Sequence, residues 1–279
     1  MKKRLYILIL GLVAGITSCT DWLDVQPKTS IPVEKLFESE AGFKDVLTGF
    51  YLKMGQTNLY AKNLTYGYLD AISGNYDEFP GVMRWREIYD YDNTWSSVKD
   101  GVYTSMYNVI ANINNFLKYI DKNRSVIKTE KYYELMKGEA LGLRAFLHFD
   151  LLRLYGPVYS VTPTGKAIPY RTSFDQKATP VLPAEKVIEH ILTDLHEADS
   201  LLEISDPKNF DLPEYYSKDY NAFEDSRQLR MNTCAVKAML ARVYCYKGDA
   251  ESKRKALTYA YDVVESNYFA LYEDNSNPV

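Results

Sequence analysis

Apolar side chains recur roughly every three to four residues along most of this chain, the spacing that places them on one face of an α-helix. This periodicity predicts helices over residues 40–53, 97–120, 130–155, 183–202, 232–247 and 252–266. The stripe in 130–155 is the strongest, and Gly156-Pro157 ends it because proline cannot continue a helix. Alternation of apolar and polar residues, typical of a half-buried strand, nowhere extends beyond a few residues. The predicted fold class is therefore all-α, mainly helical.

Three long segments interrupt the predicted helices. Residues 55–95 contain several glycines, Pro80 and clustered aromatic, Asn and Asp residues. Residues 158–182 are extended and proline-rich, and residues 205–229 are polar. Loops of this length inside a compact domain are usually functional. We therefore expect the function to depend on the long loops, above all on residues 55–95.

The last predicted helical pair carries a repeat signature. Its residues match the first helix and turn of a tetratricopeptide repeat and small positions of the second helix: Leu240-Ala241, Tyr244, Gly248, Ala256 and Ala260. Small residues let paired helices approach closely. An enlarged turn makes the match imperfect, and earlier helical pairs could be more degenerate copies. The sequence thus predicts tetratricopeptide-like helical hairpins with long irregular loops.

The first residues predict export. A basic segment at residues 2–4 precedes an apolar run over 5–16, which is shorter than the roughly 20 residues that a spanning helix needs and is typical of a signal peptide. Small residues then lead into Cys19, in a sequence that resembles the lipobox of bacterial lipoproteins. We expect a lipoprotein signal peptide over 1–18, acylation (palmitate included) at Cys19, and a lipidated tether over 19–39. Ordinary secretory cleavage beside an unmodified cysteine is the alternative.

Charge narrows the classes of partner. The chain has 33 Lys and Arg against 37 Asp and Glu, and removal of the basic leader would leave 30 against 37. An acidic protein is poorly suited to nucleic acid, whose phosphates need a basic surface. No nucleic-acid partner is expected, and a neutral ligand is favoured over a polyanion.

Motifs favour binding over catalysis. The chain has no H-E-x-x-H, C-x-x-C, G-x-S-x-G or P-loop pattern, and its three histidines lack metal-ligand spacing. The segment from Asp90 begins like a calcium loop, but Trp95 and Gly101 occupy the positions that require Gly and Glu. Cys234 and Cys245 lie about 16 Å apart along one predicted helix, too far for a disulfide, and are expected to be small core residues. No cofactor, metal site or enzymatic activity is predicted, although a hydrolase with two positioned carboxylates stays open.

Two charged residues, Arg144 and Asp150, lie on the strongly apolar helix. A charge in such surroundings predicts a buried ion pair, because an unpaired ion in the interior is costly. Glu139 is one candidate partner of Arg144, and direct contact between Arg144 and a ligand is the alternative.

Several segments together resemble the SusD/RagB family of outer-membrane lipoproteins. Residues 19–27 resemble the lipidated cysteine and the D-x-L-D motif that follows it in the family. The most specific block is Gly138-Glu-Ala-Leu-Gly-Leu-Arg144-Ala-Phe146, continued by residues 149–157. Further similarity is found in the helix with Tyr103, Tyr107, Ile110 and Asn114, and in the tetratricopeptide-like residues 230–244.

The resemblance implies a cell-surface lipoprotein, anchored in the outer membrane, that captures an oligosaccharide or polysaccharide and delivers it to a TonB-dependent SusC-like transporter. A peptide ligand stays open, since some members of the family take peptides. Family members are usually about twice as long, so residues 40–279 are expected to form the N-terminal helical half of that fold without its C-terminal half. A tetratricopeptide-like interaction lipoprotein that docks a partner chain is the alternative of a different class.

The loop between the first two long helices is the best candidate for ligand contact. Aromatic rings stack on the C–H faces of sugars, and interleaved polar side chains bind their hydroxyls. The predicted ligand-binding residues are Tyr66, Asp70, Asn75, Trp85, Arg86, Tyr89 and Trp95. Each ring could instead pack the loop onto the helices, and tyrosine, at 25 of 279 residues, suits both roles.

Overall fold

The structure is a computed structural model that describes residues 33–73, 93–207, 221, 223–266, 268 and 269. Within these ranges it consists of helices, turns and one isolated bridge between Lys166 and Pro183, without a β-strand. The helices are α1 (Val33–Leu36), α2 (Glu40–Met54), α3 (Tyr68–Ile72), α4 (Asn93–Lys122), α5 (Tyr132–Tyr155), α6 (Ala184–Ser205), α7 (Thr233–Lys247) and α8 (Ala250–Glu265). The predicted all-α class is confirmed.

Each predicted helix is present, and its ends differ from the prediction by only a few residues. The largest difference is at α4, which begins at Asn93 rather than Ser97. Asn232 caps α7, because its side chain accepts a hydrogen bond from the Ala235 N–H at 2.7 Å. Gly248 ends α7 with a φ of +80°, a conformation that glycine adopts without the steric cost of a Cβ.

The long helices pack in chain order. α2 lies against α4, α4 against α5, α5 against α6, α6 against α7, and α7 against α8. The side chains between them are apolar and buried, with an aromatic cluster in which the Phe116 ring lies 5.5 Å from Phe43 and 5.7 Å from Phe50. α5 sits between α4 and α6, and three of its charged residues, Glu139, Arg144 and Asp150, are buried.

Close helix approach depends on glycine in α5. A Cβ at Gly138 would lie 2.9 Å from Leu202 Cγ of α6, and one at Gly142 would lie 2.7 Å from Met231 Cγ. Both distances are shorter than ordinary carbon–carbon contacts of about 3.5–4.0 Å. Glycine therefore allows α6 and the segment before α7 to pack directly on the α5 backbone.

The α7–α8 hairpin matches the predicted repeat pair. Ala256 of α8 is half-buried against the core, whereas Ala260 is exposed. The outer face of α8 also exposes three large apolar side chains, Leu257, Tyr261 and Val264. No described residue covers this face, which we call the α8 outer stripe.

Two expectations need correction. Cys245 is exposed rather than a core residue, although Cys234 is buried and both are free thiols. Part of the predicted irregular segment is ordered: residues 57–67 form successive turns, α3 follows, and the end of the segment belongs to α4. The predicted signal peptide and Cys19 lie outside the described residues. Among the helices of the described part, none has the length and apolarity needed to cross a bilayer.

Candidate functional site

Residues 55–67 connect α2 to α3 in a series of turns and are here called the α2–α3 loop. The Asn58 amide donates a hydrogen bond to Ser105 Oγ of α4 at 2.6 Å. The Tyr60 hydroxyl donates to Asp150 Oδ2 of α5 at 2.8 Å. These two contacts join the loop to helices that follow it by 47 and 90 residues in the chain, so its base is held by the core.

The Tyr60 contact is part of a buried polar cluster. Asp150 also accepts a hydrogen bond from Arg153 Nη2 at 2.7 Å, and the Tyr60 ring packs on Phe146 with a centroid distance of 5.3 Å. Burial, reinforced by the charge of Asp150, raises the pKa of Tyr60 well above its usual value. The hydroxyl therefore stays protonated and donates to the carboxylate.

The structure describes part of the predicted ligand site. Tyr66 lies on the α2–α3 loop with 61% of its surface exposed, and Asp70 is half-buried in α3. The predicted residues Asn75, Trp85, Arg86 and Tyr89 lie outside the described residues. Trp95 is in the first turn of α4, and its side chain is likewise outside the description. The structure thus places Tyr66 and Asp70 on one surface segment.

Arg144 is held by a carboxylate, as predicted. Its Nε and Nη2 atoms each lie 2.7 Å from an oxygen of Asp194 in α6, and its Nη1 donates to Asn114 Oδ1 of α4 at 2.9 Å. These contacts join three helices through one guanidinium. Burial opposes the charge of Arg144, but the hydrogen bond and attraction to Asp194 outweigh it and raise its pKa.

The expectation that Glu139 pairs with Arg144 is wrong. Glu139 is fully buried and binds Arg227 Nη1 at 2.6 Å and Arg230 Nε at 2.7 Å. Arg227 also donates to Asp206 Oδ1 at 3.0 Å. Arg227 lies in the segment predicted to be polar loop, and nothing in its local sequence indicates burial. Sequence reasoning therefore missed this cluster of four charged residues.

Residues 169–174 form a strap across α4, α5 and α6. The Tyr170 hydroxyl donates to Asp194 Oδ2 at 2.5 Å, and its ring stacks on His148 at 3.9 Å. His148 Nε2 accepts from the Arg171 N–H at 3.1 Å, so Nδ1 carries the ring proton and donates to the Arg144 carbonyl at 2.9 Å. Burial lowers the pKa of His148 to about 3, which keeps the ring neutral.

A cleft of about 550 Å³ opens beside this strap. We call it the strap cleft. It is lined by the buried Leu117 and Leu141, by the exposed Phe174 of the strap, and by four charged side chains, Lys118, Asp121, Lys137 and Glu197. The volume is within the range of about 300–1,000 Å³ that is usual for small-ligand sites. Among the described residues, no three His, Cys, Asp or Glu side chains are grouped so that they could hold a metal ion.

Comparison with known families identifies the family to which this chain belongs. A family model described as "Starch-binding associating with outer membrane" matches residues 21–245, most of the chain. This chain belongs to the SusD-like family.

Individual relatives agree with this assignment. A SusD-like protein of Formosa agariphila is 25% identical over 276 residues, covering 97% of this chain and 48% of the relative. A SusD superfamily structure from Bacteroides thetaiotaomicron superposes with a TM-score of 0.62 at 20% identity, over 87% of this chain and 48% of that one. A SusD-like carbohydrate binding protein from Bacteroides vulgatus gives 0.61 at 21% identity, over 84% and 46%. This SusD-like chain spans about half the length of these relatives.

The motif residues of this SusD-like chain serve the fold. Glu139, Arg144 and Asp150, all within the most specific block, are each buried in an ion pair. Tyr107 and Asn114, from the α4 motif that also resembles the family, donate hydrogen bonds to the backbone carbonyls of Pro169 and Arg171. These bonds hold the strap in place. These motif residues thus form buried ion pairs and hold the strap, and two of them, Asn114 and Arg144, also line the strap cleft.

Proposed function

We propose that this SusD-like chain captures a glycan at the outer-membrane surface and delivers it to a SusC-like TonB-dependent transporter. Acylated Cys19 would anchor it to the membrane. Binding would use aromatic stacking and hydrogen bonds to hydroxyls, with no covalent step, cofactor or metal. The proposed contacts are the predicted residues of the α2–α3 loop and of the chain that follows it up to Trp95.

The observation that supports this proposal is the exposure of Tyr66 on a loop with a fixed base. The Tyr60–Asp150 and Asn58–Ser105 hydrogen bonds hold the backbone close to Tyr66 against the bundle. A ring presented in this way can stack on a sugar without a large cost of ordering the loop. Asp70, a few residues further on, supplies a carboxylate within the same surface segment.

The family supports a glycan over a peptide. The family is described by starch binding and association with the outer membrane, and the Bacteroides vulgatus relative is called a carbohydrate binding protein. The net negative charge of the chain favours a neutral polysaccharide over an acidic polymer. These points together support a neutral glycan as the ligand.

The first experiment is a glycan array with the chain starting at Thr20, with circular dichroism to verify folding. Tyr66→Ala, Trp85→Ala and Trp95→Ala should each weaken binding by about tenfold, the loss expected when a central aromatic contact is removed. Tyr261→Ala is the matched control, because Tyr261 is 56% exposed on α8, outside the proposed site. A folded protein that binds no glycan would refute the proposal for this chain.

Anchoring and transport need a separate test in cells. Cys19→Ser should move the protein from the outer-membrane fraction to the soluble fraction, since acylation is its proposed attachment. Co-purification with the SusC-like barrel should persist in Tyr66→Ala, because that change affects the glycan contact alone. Loss of glycan import with intact barrel association in Tyr66→Ala would support the delivery step.

The alternative, an interaction lipoprotein, is favoured by one observation. The α8 outer stripe presents Leu257, Tyr261 and Val264 at helical spacing, as a helix-in-groove or hairpin contact requires. Leu257→Glu and Tyr261→Glu should then abolish capture of a partner chain while leaving glycan binding unchanged. The reverse result, unchanged partner capture with lost glycan binding in Tyr66→Ala, favours the uptake function.

A further inference from the structure

The strap cleft has the parts of a sugar-binding site and is separate from the α2–α3 loop. It lies between the C-terminal half of α4 and the N-terminal half of α5, with Glu197 of α6 at one side. Along α5, Leu141 of its lining is nine residues from Asp150, the anchor of the loop, or about 14 Å at the helical rise. A ligand in the cleft would therefore contact surfaces different from those proposed above.

The wall that carries Phe174 is fixed by the core. The Tyr107 hydroxyl donates to the Pro169 carbonyl at 2.7 Å, and the Asn114 amide donates to the Arg171 carbonyl at 3.0 Å. On the far side, Arg171 Nη1 donates to the Lys177 carbonyl at 2.9 Å and thereby closes the strap as a loop. A preformed wall lowers the entropic cost of ligand binding.

The chemistry of the cleft fits a sugar ring. Phe174 lines the cleft and is 52% exposed, so part of its ring is accessible for stacking on a sugar. In the same cleft, Lys118 and Asp121 of α4 supply an ammonium donor and a carboxylate acceptor. Hydroxyl groups both donate and accept hydrogen bonds, so a polyol can use both kinds of partner.

The charges of the cleft are largely balanced. Lys137 lies 3.1 Å from Asp121 and 3.4 Å from Glu197, and the charge of Arg144 is matched by Asp194. Lys118 also lines the cleft, and it forms no ion pair with any residue that the structure describes. Because the cleft carries no large excess of either charge, its electrostatics do not select for an anionic ligand, and a neutral ligand fits it.

We propose that the strap cleft is a second glycan subsite, which binds one neutral sugar residue by stacking on Phe174 and by hydrogen bonds to Lys118 and Asp121. This proposal rests on the proposed glycan-binding function and adds a second point of contact to it. A long polysaccharide could occupy both subsites of one chain at the same time. The apparent affinity would then exceed that of either subsite alone, because the second binding event is intramolecular.

The test uses the whole chain, solubilised in a detergent without a sugar head group. The ligands are maltoheptaose, xylohexaose and mannohexaose, with hexagalacturonate as the acidic comparison. At least one neutral oligosaccharide should slow hydrogen–deuterium exchange of the backbone amides at residues 171–174. Phe174→Ala should weaken its binding in calorimetry by about tenfold. Phe174→Trp should retain binding, and Val161→Ala, at a 77% exposed site outside the cleft, is the matched control.

The outcomes separate this proposal from the proposed function. One outcome would overturn the second subsite and leave the uptake function intact. In that outcome Tyr66→Ala weakens glycan binding, Phe174→Ala does not, and the bound glycan does not protect residues 171–174 from exchange. Absence of binding to every oligosaccharide would overturn both. Hexagalacturonate binding more tightly than the neutral oligosaccharides, with protection of residues 171–174, would overturn the assignment to a neutral sugar.

Discussion

Arg144 of α5 and Asp194 of α6 form a bidentate ion pair, with both N–O distances at 2.7 Å. Tyr170 binds the same carboxylate from the strap, and Asn114 binds the guanidinium from α4. One buried pair therefore connects α4, α5, α6 and the wall of the strap cleft. Because of its position, the ion pair stabilises the packing of the helices and also supports the proposed subsite.

Removal of the carboxylate should destabilise the protein strongly. In Asp194→Asn the charge of Arg144 would stay buried without its counter-ion, at a cost of about 3 kcal/mol in the free energy of unfolding. Urea denaturation followed by circular dichroism measures this difference. The control is Lys186→Met, which breaks the exposed pair with Glu189 and should cost no more than about 0.5 kcal/mol. Equal effects of the two changes would contradict the structural role of the buried pair.

His148 should make stability depend on pH in a mildly acidic range. Its pKa is about 3 in the folded chain, against about 6.5 when unfolded, so protons bind the unfolded state preferentially below pH 6.5. Its contribution is fully present above pH 6.5 and decreases as the pH falls, by about 1.4 kcal/mol per unit. His148→Asn should therefore flatten the dependence of the unfolding free energy between pH 7 and 5.

The control for His148 is His190→Asn, on the exposed side of Tyr170, which should retain the steep pH dependence of the unmodified chain. The range stops at pH 5 because carboxylates contribute below it. Glu40, for example, has its pKa lowered to about 2, since hydrogen bonds from Thr129 and Lys128 outweigh its burial, so its contribution is lost only in stronger acid. An identical slope in His148→Asn would show that the ring is not the buried neutral group described here.

The same substitution should have opposite effects at two helical glycines. Gly138→Ala places a Cβ 2.9 Å from Leu202 Cγ and 3.1 Å from Leu201 Cβ, so it should destabilise the fold by about 1–3 kcal/mol. Gly49→Ala meets nothing within 4 Å, and alanine is the better helix former, so it should stabilise by about 0.5–1 kcal/mol. Thermal unfolding of the two variants measures both signs. A stabilised Gly138→Ala would mean that α5 and α6 are not in close contact.

Charges on the α8 outer stripe should be tolerated by the fold. Leu257→Lys changes a side chain that is 58% exposed and should alter the unfolding free energy by no more than about 0.5 kcal/mol. Leu240→Ala, at a fully buried position of α7, should cost about 2–5 kcal/mol. Chemical denaturation of both variants provides the comparison. A large cost for Leu257→Lys would show that this face is packed against another part of the chain.

The sequence alone was sufficient for the six long helices and, within a few residues, for their limits, whereas the short α1 and α3 were not predicted. The stripe in α5 and the caps at Asn232 and Gly248 could be identified because helical period, capping and turn preference depend on residues close together in the chain. It also indicated the family, since the motif block around Arg144 is contiguous. The family model and the α-helical fold confirm both predictions.

Only the tertiary structure decided which charges meet and where a cavity opens. Arg144 and Asp194 are 50 residues apart and Glu139 and Arg227 are 88 apart, whereas helix geometry brings together only residues about three or four apart. Glu139, a candidate partner of Arg144 on sequence grounds, consequently proved to pair with Arg227 and Arg230 instead. The strap cleft had no counterpart in the sequence analysis, because its lining comes from three helices and a loop whose proximity is created by packing alone.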